Sequence, residues 1–263
     1  MAPDWESRED RYYTDDDWAF ITETWKNEAP RGDDPLYWED VSLGDEPNAT
    51  LDGPIDDTPD PIPPFGMGLM GSRTLKREIL DPEIKKYMVR NPYDGIYRFS
   101  SRKMSRPEFP ESALAAMSAM HAGETPVQTD DDAMSPPPKR YILINFLGRE
   151  YAIRHINNWM GYHGRLKSIS WGIMPPEAMD NYGLCVPESP FANRFLDVLP
   201  DRKRTCLHHG LERDIALVKS RVFSKRIENG EYLVDLAWWI ETIDGKTYEE
   251  GQATVALPSR NVS

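Results

Sequence analysis

The last fifty residues constrain this chain more than any other stretch. Residues 214–226 (DIALVKSRVFSKR) alternate apolar and polar side chains, residues 232–242 (YLVDLAWWIET) read as a second strand, and residues 251–258 (GQATVALP) as a third. Such alternation marks a half-buried strand. Asn229-Gly230 and Asp244-Gly245 fall between the runs, where hairpin turns call for residues that tolerate positive φ. The spacing predicts a three-stranded antiparallel meander. Ahead of it, residues 140–160 (RYILINFLGREYAIRHINNWM) carry Ile142, Phe146, Tyr151, Ile153 and Ile156 almost all round a helix. A helix apolar on most faces is wrapped, not surface-lying. Gly161 and Gly164 end it, and residues 166–174 (LKSISWGIM) alternate as one more strand. A buried helix followed by long antiparallel strands is satisfied when the sheet curls around the helix. The predicted class is α+β.

The N-terminal part reads differently. Thr14 can cap a helix whose first turn, Asp15-Asp16-Asp17, suits the positive end of the helix dipole. Trp18, Ile21, Thr22 and Trp25 then share one face, and Pro30, Gly32 and Pro35 end the element. Residues 1–35 are expected to form an acidic arm laid over the main domain or a partner subunit. Residues 36–46 read as an extended lead into the domain, with Gly44-Asp45 as a turn and a short strand near 50–55. Gly66, Gly68 and Gly71 match a phosphate-loop pattern, but Pro61, Pro63 and Pro64 exclude the strand that such a loop must follow. A Gly-Met loop is the expectation there. Residues 72–90 read as helical with a break at Asp81-Pro82, residues 112–121 as a short helix, and residues 124–138, with Asp130-Asp131-Asp132 and a run of three consecutive prolines, as a linker. Residues 175–207 read as an irregular inserted loop.

Charge narrows the partners. Of 44 acidic and 31 basic residues, 19 and 4 lie in residues 1–60, so the remaining 203 residues are nearly neutral. Nucleic acid, which needs clustered bases to displace counterions, is not an expected partner. No uncharged apolar run is long enough to span a bilayer, and the first residues lack the basic start and apolar stretch of a signal peptide. Two cysteines, Cys185 and Cys206, make no disulfide framework, and no His or Cys stands at metal-finger spacing. The expectation is a cytoplasmic protein with no metal, no cofactor and no membrane partner.

Four stretches carry a family resemblance. YWEDVSLGDE (37–46), HINNWMGYHG (155–164), the hairpin of residues 214–247 and EGQATVALPSR (250–260) together resemble the MaoC-like acyl dehydratase/hydratase family, whose members have the hot-dog fold. The resemblance covers roughly a third of the chain, mostly in its C-terminal half. It implies a central helix wrapped by a sheet, dimerisation or higher homo-oligomerisation by edge-to-edge sheet joining, and an acyl-thioester substrate in a tunnel at the dimer interface. Residues 36–263 would form one such domain with an insertion at about 57–138. A fused double hot-dog is the alternative.

Hydration of an enoyl thioester needs a carboxylate and a histidine around one water, to remove one proton and to help deliver another to the carbon alpha to the carbonyl. The family places this Asp and His five residues apart, in an Asp-x-Asn-Pro-hydrophobic-His pattern just before the central helix. This sequence lacks that pattern. Its nearest pieces are Asn91-Pro92-Tyr93-Asp94 and, further on, His121. His163 lies in a glycine-flanked loop from which a side chain can reach a cavity, five residues after Asn158; His155 reads as a core or interface histidine. The candidate catalytic set is therefore His163, His121, Asp94 and Asn158. For substrate binding the candidates are Arg202, Lys203 and Arg204, suited to a phosphate-bearing thioester, with Tyr162, Trp159 and Met67. Three functions stay open: a hydratase or dehydratase; a non-catalytic subunit of the same fold that completes a related partner's site; and an enzyme of the fold with redirected chemistry.

Overall fold

The computed structural model describes residues 11–55, 76–100, 133–137, 146–171 and 213–261. In chain order these form helix α1 (Asp15–Asn27), a 3-10 turn (Trp38–Asp40), β1 (Thr50–Asp52), α2 (Lys76–Leu80), α3 (Pro82–Lys85), β2 (Met88–Arg90), β3 (Tyr97–Phe99), α4 (Phe146–Met160), β4 (Arg165–Trp171), β5 (Ala216–Glu228), β6 (Glu231–Glu241) and β7 (Thr247–Leu257).

The predicted meander is present as β5, β6 and β7, within a five-stranded antiparallel sheet of order β1-β5-β6-β7-β4. Asn229 and Gly230 take φ values of 51° and 79°, the double positive φ of a tight primed turn whose twist matches the strands it joins. Extra residues at 167 in β4, 223 in β5 and 248 in β7 bend a strand and add twist, so the sheet curls. Helix α4 packs on its inner face and touches β4, β5, β6 and β7. Tyr151, Ala152, Ile156 and Met160 join Val218, Val222, Val234, Leu236, Trp238, Ile240, Val255 and Leu257 in one core. Full burial of each such aliphatic side chain stabilises by about 1.5–3 kcal/mol. Covering is not complete: Glu150 and Asn157, seven residues apart, form an exposed polar stripe along α4. Residues 140–145 of the predicted helix and 172–174 of the predicted strand lie outside the described residues.

A second core lies on the other face of the sheet. Strand alternation turns Ala216 and Val218 toward α4 and Leu217 away from it, where Leu217, Ile215 and Leu51 meet Tyr13, Trp18, Ile21 and Trp25 of the N-terminal arm. The expected aromatic face is thus buried against this chain's own sheet. Thr14 and Asp17 form a reciprocal capping box at the start of α1, satisfying donors the first turn leaves over. Polar handles on the aromatics fix the arm: Trp18 Nε1 donates to the Gly95 carbonyl at 2.8 Å, Trp25 Nε1 to the Leu51 carbonyl at 3.0 Å, and Tyr13 Oη to the Arg213 carbonyl at 2.5 Å.

One expectation is corrected. Helix does not run to residue 90: after α2 and α3, Met88–Arg90 pair antiparallel with Tyr97–Phe99. The Asp81-Pro82 break is real, with Asp81 capping α3 through the Glu83 amide at 2.9 Å. Three-residue strands carry too little period to be told from a helix tail. Gly95 makes this hairpin possible: at φ 71° it lies so close to Tyr13 that a Cβ would stand 2.3 Å from the Tyr13 carbonyl oxygen. No helix among the described residues is long and apolar enough to cross a membrane.

Candidate functional site

The C-terminal end of α4 is where the sequence candidates gather. Gly161 breaks the helix at φ 68°, and a Cβ there would stand 2.9 Å from the Gly32 carbonyl oxygen. The loop after α1 closes over the break. Arg31 N donates to the Asn158 carbonyl at 2.9 Å, Arg31 Nε to the Trp159 carbonyl at 3.1 Å, and Tyr162 N to the Gly32 carbonyl at 2.8 Å. These bonds satisfy carbonyls that a helix end leaves over, and the Arg31 charge complements the negative end of the dipole.

Between this loop, the segment leading to β1 and the last turn of α4 lies an open cleft of about 620 Å³, lined among others by Arg31, Asp34, Asp40, Thr50, Asn158 and Trp159. Of the predicted residues, Asn158 and Trp159 line it. His163 lies on the turn that follows, half-exposed, with Nε2 3.1 Å from both the carbonyl and the Oδ1 of Asp33. Tyr162 is 82% exposed. Asp94 is separated from this group: it is buried in the β2–β3 turn behind the sheet, and its two carboxylate oxygens accept from Arg98 at 3.0 and 2.7 Å. His121, Met67, Arg202, Lys203 and Arg204 lie outside the described residues.

The cleft is acidic, yet its carboxylates are engaged. Asp34 pairs with Arg31 at 3.0 Å, Asp40 takes both Arg260 amino groups at 2.6 Å, Glu46 pairs with Arg221 at 2.7 Å, and Asp45 accepts the Ser42 amide at 2.7 Å. Glu28, at the upper wall, is held by Arg154 at 2.8 Å and Lys76 at 2.6 Å. Burial alone would raise its pKa; the two cations hold it below the ordinary carboxylate value. Arg154 also reaches Asp52 on β1 at 2.5 Å, but there burial outweighs the cation and the pKa stays raised. Among the described residues, no group of three or more His, Cys, Asp or Glu is placed to hold a metal ion.

Behind the cleft wall, Thr50 leads to His155. The Thr50 hydroxyl is 3.3 Å from His155 Nδ1, and Ser220 Oγ is 2.8 Å from His155 Nε2. His155 is 1% exposed, and burial, helped by the neighbouring Arg154 charge, pushes its pKa down to about 4. The imidazole is therefore neutral at pH 7 and spans two hydroxyls, one of them on the cleft wall. This Thr50–His155–Ser220 chain and the Glu28–Arg154–Asp52 cluster were not foreseen from sequence. Their members come from β1, α4, β5 and the end of α1, and no local spacing links them.

No family model matches the chain, and no curated protein matches it. A solved structure described as an (R)-hydratase from A. caviae involved in PHA biosynthesis is similar at 15% identity, over 61% of this chain and 89% of that one, with a TM-score of 0.28.

Proposed function

We propose that this chain is a hydratase or dehydratase of the hot-dog type, adding or removing water at an acyl thioester or a related small unsaturated acid. One observation carries the reading: α4 lies with its apolar side against four strands of a curled antiparallel sheet, built from the stretches whose sequences resemble that family. In hydration, an O–H bond of water and the π bond between the α and β carbons break, the water oxygen bonds the β carbon, and the π electrons take up a proton at the α carbon. His163 beside Asp33 is the proposed histidine–carboxylate pair for these transfers, with His121 as the other histidine candidate. Asn158 and Trp159 would border the reacting group, and the Arg202-Lys203-Arg204 run would take a phosphate-bearing carrier.

A second reading is favoured by a separate observation. Both ring nitrogens of His155 and both oxygens of Asp94 are already engaged within the fold, which suits a binding subunit that completes a related partner's site.

Crotonyl-CoA hydration by the purified chain, followed by loss of enoyl absorbance, tests both. The first reading expects turnover that His163→Ala or His121→Ala lowers by about 10²-fold or more. Because His163 is half-exposed, its loss should leave the unfolding midpoint unchanged. Turnover that appears only after a related hot-dog subunit is added gives the second reading the site. Full turnover in both variants removes the histidine assignment.

A further inference from the structure

The inner face of the sheet holds two polar groups that the described residues leave without a partner. On β6 and β7, Trp238 stands opposite Gly251 and Ile240 opposite Glu249. Trp238, Ile240, Ala253 and Val255 all face α4 in the inner core, and residues two apart on a strand share a face, so Glu249 belongs to the same row. Glu249 is 3% exposed and Trp238 fully buried. Neither Glu249 Oε1 nor Trp238 Nε1 has a hydrogen-bond partner among the described residues. Their positions are diagonal across β6 and β7. The indole lies across Gly251, with Cζ2 and Cε2 at 2.5 and 2.7 Å from where a Cβ would stand, and Nε1 is bonded to Cε2. Glu249 projects two residues along the same strand, about 7 Å from Gly251.

Buried polar groups in folded proteins are as a rule satisfied, and two orphans at diagonal positions of one largely apolar face point to something that satisfies both. Burial pushes the Glu249 carboxyl up to about 8, so at neutral pH it is mainly a neutral O–H donor, as the indole N–H is a donor. Two donors on one face of the sheet, in a low-dielectric setting, suit an oxygen acceptor that lies between them. An anionic ligand would need a cation to offset its desolvation; a neutral carbonyl needs only the donors.

We propose that Trp238 and Glu249 form a carbonyl-binding site on the inner face of the sheet, in which indole N–H and carboxyl together hold the oxygen of an uncharged acyl thioester or amide. The choice of thioester rests on the reading above; the site itself does not.

The test uses the full chain and crotonyl-N-acetylcysteamine, a neutral thioester without phosphate, labelled with 13C at the carbonyl. Isotope-edited infrared spectroscopy reads the carbonyl stretch of the bound probe. In the wild-type chain and in Glu249→Gln, which keeps a donor, the stretch is expected at lower wavenumber than in Glu249→Met or Trp238→Phe. Each of the latter two should also weaken probe binding about tenfold, the effect of one lost hydrogen bond. Glu249→Met, freed of an unsatisfied carboxyl, should unfold at a higher temperature without ligand, by roughly 2–4 °C. Absence of probe binding to the wild-type chain, or an unchanged stretch and affinity in both Met and Phe variants, overturns the proposal. A shifted carbonyl without hydration sinks the hydratase reading alone; hydration with an unshifted carbonyl sinks this one alone.

Discussion

His155 and Glu249 sit in the same interior and respond to burial in opposite directions. For His155, the folded pKa of about 4 lies below the ordinary 6.5, so the unfolded chain binds more protons between those values. Its contribution to stability is present above pH 6.5 and is lost as pH falls toward 4. For Glu249, the folded pKa of about 8 lies above the ordinary 4.5. That contribution is full below pH 4.5 and is lost as pH rises through 8. Stability should therefore decline on both sides of a maximum in the weakly acidic range. Denaturant midpoints measured from pH 4 to 9 should show His155→Gln flattening the limb between 6.5 and 4, and Glu249→Gln flattening the limb between 4.5 and 8. Unchanged limbs in both variants would show that other groups set the profile.

Among the elements, β4 and β7 depend on a residue with no side chain. A Cβ at position 251 would stand 1.9 Å from the Ser170 carbonyl oxygen and press on the Trp238 indole. Backbone on one side and a fully buried ring on the other leave nothing flexible to yield. Gly251→Ala should cost roughly 1–3 kcal/mol or more, the usual range for forcing extra volume into a packed core, with β4 separating from β7. Hydrogen exchange checks it: the amides shared by β4 and β7 should lose protection, while those between β5 and β6 keep theirs. The Asn229-Gly230 turn carries no such constraint, since a Cβ at Gly230 would meet nothing within 4 Å. That glycine is there for its φ of 79°, which only glycine adopts without strain.

Over the whole molecule, two cores lie on opposite faces of one sheet, and Arg154 ties them together. It projects from α4, whose apolar side fills the inner core, to Asp52 on β1 and to Glu28 just beyond α1, whose aromatic face fills the outer one. Removing a partner from a buried ion cluster strands the charges that remain. Arg154→Leu should cost about 3 kcal/mol, and because it couples both cores, circular dichroism and tryptophan fluorescence should report one common shifted transition. Lys76→Ala should cost much less, since Arg154 still holds Glu28. Separate transitions for the two signals in Arg154→Leu would show instead that the arm unfolds independently of the sheet.

Local pattern alone determined the capping box at Thr14, the buried stripe of Trp18, Ile21 and Trp25, and the three long strands with their turns. In each case the cause lies within a few residues: a side-chain oxygen three residues from an orphan amide, a period of 3.6 or 2, a glycine where φ is positive. Tertiary structure alone decided the rest. The hairpin of residues 88–99 needs Gly95 to meet Tyr13, and the neutrality of His155 needs hydroxyls from positions 50 and 220. Glu249 lies just ahead of the predicted third strand, residues 251–258, and nothing in its local pattern marks it. Strand parity turns it toward the inner core and Glu250, itself 3% exposed, to the opposite face, because a pleated strand sends successive side chains to opposite sides, and only the pairing of β7 with β6 settles which of the two meets α4.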